Sequence, residues 1–285
     1  MRNVSSVISS KRSRLLLQSF PINFSPRPEQ MVDEKYFIKQ LQSASLSERY
    51  AAAKALRFLG YREAADILGQ RMADEAEDVY VRLEAGAALA SHGNESGWQF
   101  LSESIDSEFL AVQLETIIVL SEIRDTKSEQ LVIRVLTDAN RDSEVRAGAA
   151  WALGEFATGA SVSALTDAFD LTSTEIKVEA ARSLLKVTPS QLATIVAILR
   201  SIDPNKRDGI AWALARAGGF APRDLIEGEI DDDLRRWTSY IMGYGKQLFT
   251  EEQIEELTRL DPEVHFAASV LWQILASWIH DLKEY

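Results

Sequence analysis

One phrase recurs eight times along this chain, and that recurrence restricts its fold more than any other feature. The phrase is a branched apolar residue, a base, several small residues and then Ala-Leu or its equivalent. Val145-Arg146-Ala147-Gly148-Ala149-Ala150-Trp151-Ala152-Leu153 and Val81-Arg82-Leu83-Glu84-Ala85-Gly86-Ala87-Ala88-Leu89 show it most clearly. Aligned on the basic position, the copies fall at Arg49, Arg82, Gln113, Arg146, Lys177, Arg207, Arg235 and His265, with successive spacings of 33, 31, 33, 31, 30, 28 and 30 residues. A period this short and constant is that of a stacked array, in which each unit shields its neighbour's apolar face.

Within each copy the pattern is helical. The residues one before the base and three, four and seven after it fall on one arc at 100° per residue, as Val145, Ala149, Ala150 and Leu153 do in the fourth copy. The position four after the base is small in seven copies (Ala53, Gly86, Ala150, Ala181, Ala211, Ser239, Ser269), with Ile117 the exception. Small residues there allow close helix approach. A second apolar segment follows each first one, as in Ala64-Ala65-Ile67-Leu68 and Leu131-Val132-Val135-Leu136, and Gly60, Gly93, Gly159 and Pro189 lie between the paired segments, where turns are expected. The base sits within the apolar arc and must be paired. Acids lie just ahead of it (Glu48, Asp78, Glu144, Glu175, Asp233, Glu263), so the base column is expected to bond to them and to helix-end carbonyls.

The phrase resembles the HEAT-repeat superfamily, and most closely the short-period type named after phycobilin lyases. Ser143-Glu144-Val145-Arg146 through Gly154 and Asp261-Pro262-Glu263-Val264-His265 through Ala268 carry the match, which extends over about residues 45–280. The resemblance implies an all-α, right-handed α-solenoid of about eight HEAT-like helical hairpins, begun by a helix near residues 33–42. Copies three, six and seven depart most from the pattern. Members that are deoxyhypusine hydroxylases hold two irons through His-Glu pairs; here His92, His265 and His280 are followed by Gly93, Phe266 and Asp281. Most relatives hold other proteins. The resemblance therefore implies a non-enzymatic scaffold or adaptor, with a lyase-like or chaperone-like factor acting on a chromophore-bearing protein as the alternative.

Composition narrows the chemistry. Zero cysteines remove disulfides, thiolate metal sites and thiol nucleophiles. No phosphate loop, nucleophile elbow or zinc-protease pair occurs, so no catalytic residue, cofactor or metal is assigned. Residues 1–30, rich in Ser and Arg, carry five bases against one acid; they are set apart as a disordered basic extension, and residues 31–285 as the solenoid. The chain's net charge of −12 thus leaves −16 on the solenoid. That field disfavours nucleic acid and favours protein partners with basic patches. The longest uncharged apolar run, residues 267–279, is shorter than a membrane span, and a cytoplasmic location is expected, with organellar targeting by residues 1–30 as the alternative.

Two surfaces are candidate binding sites. In solenoids of this kind the second helices are expected to line the concave face, where Arg62, Glu63, Asp66, Gln70, Gln99, Glu103, Glu129, Arg134, Asp167 and Gln191 supply polar groups. The position five after the base, opposite the buried arc, reads Lys54, Ala87, Ile118, Trp151, Arg182, Trp212, Tyr240 and Val270. Ile118, Trp151, Arg182, Trp212 and Tyr240 form an expected partner-binding ridge, with Arg182 placed to stack on either Trp. The last copy ends in one long helix from about Val264 to Leu282, whose Leu271, Trp272, Ile274, Leu275, Trp278 and Ile279 cover more than one face. It is expected to be a lid over copy seven or an assembly surface for a second copy of the chain.

Overall fold

A computed structural model describes residues 34–283 except 62, 229, 246 and 247, and leaves the side chains beyond residue 275 and at 205 undescribed. The expected basic extension at residues 1–30 lies outside the described residues. Those residues form an α-solenoid with fifteen α-helices and no strand among them. A short leading helix, α1 (Glu34–Gln40), precedes seven helix pairs. The pairs are α2 (Leu46–Leu59) with α3 (Ala65–Ala73), α4 (Val79–Ser91) with α5 (Glu95–Ser104), α6 (Leu110–Ile123) with α7 (Thr126–Thr137), and α8 (Ser143–Phe156) with α9 (Gly159–Asp167). The fifth pair is fused into α10 (Thr174–Ser201); α11 (Arg207–Ala217) with α12 (Pro222–Ile226) and α13 (Asp232–Tyr244) with α14 (Glu251–Leu260) follow. A single helix, α15 (Pro262–Lys283), closes the array.

The helices begin where the sequence supplies caps. Asp78, Asn94, Asp125, Asp142, Thr158, Ser173, Asp231 and Thr250 each accept a backbone N–H from the first turn of the helix they precede. Two turns differ from expectation. The turn between α8 and α9 is made by Ala157 in the left-handed region (φ 55°), while Gly159 is already the first residue of α9. Pro189 marks no loop: α10 continues past it and breaks at Gln191 (φ −120°, ψ 21°). A proline two residues earlier removes a backbone donor, so a bend replaces the open turn.

The apolar arc is the core. Seven residues from successive copies, each seven after the base, form an almost completely buried spine: Leu56, Leu89, Leu120, Leu153, Leu184, Leu214 and Met242. The base column bonds largely as expected to carbonyls, since Arg82, Arg146 and Arg207 donate Nε–H to Met72, Leu136 and Leu199 at the end of the preceding helix. Its acids come mostly from the next copy, although Arg235 also pairs with Asp232 of its own at 3.3 Å. Arg49 grips Glu77 through two bonds of 2.7 and 2.8 Å, Arg207 takes Asp231 and Asp233, and Arg235 reaches Asp261. The acids just ahead of a base are committed elsewhere: Asp78 caps its own helix, and Asp233 serves the base of the copy before it. Arg207 draws its partner Asp231, helped by the Leu234 N–H, down to a pKa of about 2.

The two rows of helices pack unequally, and this decides which lies inside. First helices touch one after another along the whole row: α2 on α4, α4 on α6, α6 on α8, α8 on α10, α10 on α11, α11 on α13 and α13 on α15. The second helices touch less: α7 meets α9 and α12 meets α14, while α3, α5 and α7 make no comparable contact with each other. The row that closes up is the inner one. Side chains confirm it: Lys54 on α2 reaches Glu122 on α6, two copies away, at 3.1 Å, and Arg57 donates to Val119 O at 3.4 Å. Helices two steps apart on a flat row would stand about 16–20 Å from each other. Such pairs form only inside a bend. The expectation that second helices line the concave face is therefore corrected. Gly148 and Gly154 of α8 let it close against Leu114 of α6 and Ser183 of α10, and the polar second-helix positions lie on the outer row; Arg62 is outside the described residues.

Candidate binding face

With the first helices inside, the ridge and the concave face become one surface. Trp151, Trp212 and Tyr240 are half-buried, each with one side against the core, Ile118 is half-buried, and Arg182 is exposed. The ridge is thus neither core nor a free-standing stripe. Its members do not all meet. Arg182, Trp212 and Tyr240 line one groove of about 490 Å3, which they share with Val178, Trp237 and Lys177. Ile118 and Trp151 lie outside that groove, nearer the N-terminal end of the row.

The stacking partner of the tryptophan is corrected as well. Arg182 pairs with Glu179 at 3.3 Å, one turn away on α10. Arg216 on α11 is the cation that stacks, with its guanidinium carbon 4.1 Å from the Trp212 ring centre and 4.2 Å from that of Tyr244. It donates to Trp212 O at 3.1 Å, to the Tyr240 hydroxyl at 3.4 Å and to the Tyr244 hydroxyl at 2.7 Å. Trp237 and Tyr240 meet edge to face at 5.9 Å, and Tyr240 and Tyr244 pack at 5.7 Å. The sequence carried a signal for Arg216, because it lies nine after its base and so on the same face as Trp212. The floor of the groove is also fixed. A Cβ on Gly209 would fall 2.0 Å from the buried Phe169 ring, so this glycine lets the ring close against α11.

At the other end of the inner row lies a buried charge cluster that sequence reasoning did not find. Arg57 and Glu84 are almost fully buried and their charged groups lie 3.1 Å apart. Lys54 approaches Glu84 at 3.4 Å and Glu122 at 3.1 Å, and Arg57 also bonds Glu122. Burial pushes the Glu84 carboxyl up against the pull of Arg57 and Lys54. Glu115 lies beside this cluster, and burial together with the Glu84 charge raises its pKa to about 7.

That shift has a defined sign. Between the ordinary value of 4.5 and about 7, the folded chain keeps a proton on Glu115 that the unfolded chain has lost. Its contribution to stability therefore declines as pH rises through that window. A Glu115→Gln variant should match the wild type in thermal stability near pH 4.5 and exceed it at pH 8. Equal melting temperatures for the two proteins at pH 8 would contradict the placement of this carboxyl.

Comparison with known proteins agrees with this architecture. The HEAT-repeat family profile matches residues 99–186, and the PBS lyase HEAT-like repeat profile matches residues 48–74. The chain carries HEAT-like repeats over these residues. No curated protein matches it in sequence. Similar solved structures include the complex of CpcE and CpcF of phycocyanin lyase from Nostoc sp. PCC7120, at 18% identity and TM-score 0.39, covering 90% of this chain and 98% of that one. Human deoxyhypusine hydroxylase in complex with glycerol is similar at 19% identity and TM-score 0.40, covering 76% and 86%. A designed armadillo repeat protein in complex with the peptide (KR)4 is similar at 16% identity and TM-score 0.29, covering 84% and 99%. Within this HEAT-like solenoid, the described residues place no group of three or more His, Asp or Glu to hold a metal ion, and no helix is long and apolar enough to cross a membrane.

Proposed function

We propose that this HEAT-like repeat protein is a non-enzymatic scaffold that grips a protein partner on its concave face, with Trp212 and Tyr240 as anchors. One observation carries the proposal: the inner helices open an aromatic-walled groove of about 490 Å3 where a solenoid would otherwise present polar residues. Large aromatics and Arg dominate the binding energy of protein interfaces because they bury much area with few rotatable bonds. Trp212, Tyr240, Trp237 and Arg216 concentrate both kinds of residue at one place on the row.

Affinity capture with the chain, followed by mass spectrometry, tests this. A stoichiometric partner retained by the wild type should drop by about tenfold or more with Trp212→Ala/Tyr240→Ala, as loss of central anchors costs at least about 2 kcal/mol. Arg182→Glu, an exposed change that leaves the core untouched, should weaken capture without altering the circular dichroism spectrum. Retention unchanged in both variants overturns the proposal. The alternative, a factor handling a chromophore-bearing protein, rests on the family resemblance. It requires the captured partner to carry a visible absorbance band that the chain alters.

A second copy of the chain is a further candidate for part of this face. On α15, Leu271, Trp272 and Leu275 are half-buried and the helix packs on α13 and α14, so it closes over copy seven. Phe266 remains 70% exposed and Ile274 44%. Trp278 and Ile279 have side chains outside the described residues. Native mass spectrometry of the purified chain separates self-assembly from capture of another protein.

A further inference from the structure

Independently of the concave-face function, we propose that Ser173 is a phosphorylation site, where a phosphoryl group on Oγ at the N-terminus of α10 supplies the counter-charge that the buried Arg146 lacks.

Three arginines are buried among the described residues: Arg57, Arg146 and Arg207. Arg57 is paired with Glu84 and Glu122, and Arg207 with Asp231 and Asp233. Arg146 stands apart. It is 9% exposed, its side chain donates only Nε–H, to Leu136 O at 2.9 Å, and its buried Nη2 has no hydrogen-bond partner. No carboxylate among the described residues pairs with it. A desolvated charge left in this way is costly, and it gains most from an anion placed beside it. Arg82, another base-column arginine without a carboxylate, is half-exposed and lies over the Phe100 ring instead.

The repeat shows where that anion belongs. Arg207 is anchored as Arg146 is, by Nε–H to the carbonyl at the end of the preceding helix. Its Nη1 and Nη2 then clasp Asp231, the N-cap of α13, at 2.8 and 2.9 Å. Arg235 reaches Asp261 in the same register. The residue four before the base is Asp in five copies (Asp78, Asp142, Asp203, Asp231, Asp261) and Ser173 in the fifth. The register therefore aims Arg146 at a hydroxyl where Arg207 finds a carboxylate. Ser173 is half-buried and caps α10 weakly, with Oγ 3.5 Å from Ile176 N. Glu175, in the place of Asp233, is exposed and accepts Ser143 Oγ at 3.3 Å instead. Thr172 and Thr174 are exposed on either side, so the stretch lies open at the surface.

A phosphoserine there brings a charge of about −1.5 to −2 and three acceptor oxygens, and the positive end of the α10 dipole favours it as well. The donor is a nucleoside triphosphate: the Oγ–P bond forms as the bond to the departing diphosphate breaks, and the hydroxyl proton passes to a base of the transferring kinase. Lys177 and Val178, one turn further along α10, line the groove, so the modification braces one of its walls.

The test uses the full chain made with phosphoserine at position 173 by amber suppression. Its melting midpoint should lie about 3 °C or more above that of the unmodified chain, and Ser173→Asp should give part of the rise. Arg146→Met removes a charge that no carboxylate answers, so this variant should fold and should abolish the gain from phosphate. Phosphorus NMR gives a reading that needs no variant: the second ionisation of the phosphate should fall about one pH unit below its value in the urea-unfolded chain. Equal midpoints with and without phosphate, or a full gain that survives Arg146→Met, overturns the proposal. Inorganic phosphate that stabilises the unmodified chain as much, through Arg146, overturns the assignment to Ser173 by making the group a free ion. In chain isolated from its own cells, the tryptic peptide 147–177 should carry phosphate on Ser173, and its absence there overturns the modification.

Discussion

Arg57→Ala should destabilise the solenoid by about 3–5 kcal/mol, the cost of leaving a buried charge without its partner. Arg57 and Glu84 have side chains only 2% and 1% exposed, and their charged groups sit 3.1 Å apart between neighbouring inner helices. Removing the guanidinium strands Glu84 in a site that already disfavours its charge. It also removes the donor to Val119 O, which ties α2 to α6 across the intervening helix. Arg57→Met combined with Glu84→Leu should cost far less than Arg57→Ala alone, because an apolar pair of similar volume leaves no charge uncompensated. Urea unfolding of the three proteins measures both effects. A single variant that loses less than about 1 kcal/mol would mean the pair is solvated and the inner row open at that end.

Gly97→Ala should be comparably damaging for a different reason. A Cβ on Gly97 of α5 would fall 2.5 Å from Gly86 O, 2.6 Å from Ala90 N and 2.8 Å from Leu89 Cβ, all on α4. Two of these atoms are backbone and cannot swing away, so the helices of the second pair must separate. Overpacking of this kind costs about 1–3 kcal/mol or more. Gly69→Ala is the control. It lies within α3 with nothing inside 4 Å of its Cβ position, and alanine there should stabilise by about 0.5–1 kcal/mol through helix propensity. Opposite signs for the two glycines in the same unfolding assay are the expected result. A neutral Gly97→Ala would place α4 and α5 farther apart than described.

Much of this architecture was legible in the sequence. The eight-fold basic column located every first helix, and the arc three and seven residues after each base is the buried spine from Leu56 to Met242. The tally of helix pairs required one refinement, since α15 has no second helix among the described residues. The direction of curvature was assigned to the wrong row, although its cause was in view. Gly148 and Gly154, set against Leu114 and Ser183 of the neighbouring first helices, let that row close up, and a row that closes up lies on the inside. The ridge residues share a column in the sequence, but which of them share a groove depends on how the helices cross. The Arg57–Glu84–Glu122 cluster was not legible at all. Its members come from three copies, and only the bend brings the first and third together. The ridge column points to Arg182, while the stacking cation, Arg216, comes from the column one turn further along α11.

The central claim, that partners are held on the inner row of first helices, has a direct test in a chain that contains no cysteine. Arg182→Cys places a thiol on the inner row at a side chain that is 65% exposed, and Arg134→Cys places one on the outer row at a side chain 49% exposed. Alkylation rates are measured for each variant with and without the protein captured by the wild-type chain. The partner should slow alkylation at position 182 by about tenfold or more, as expected for a thiol excluded from solvent at an interface, and leave position 134 unchanged. Protection at 134 with free reaction at 182 would put the binding face on the opposite side of the solenoid and contradict the account.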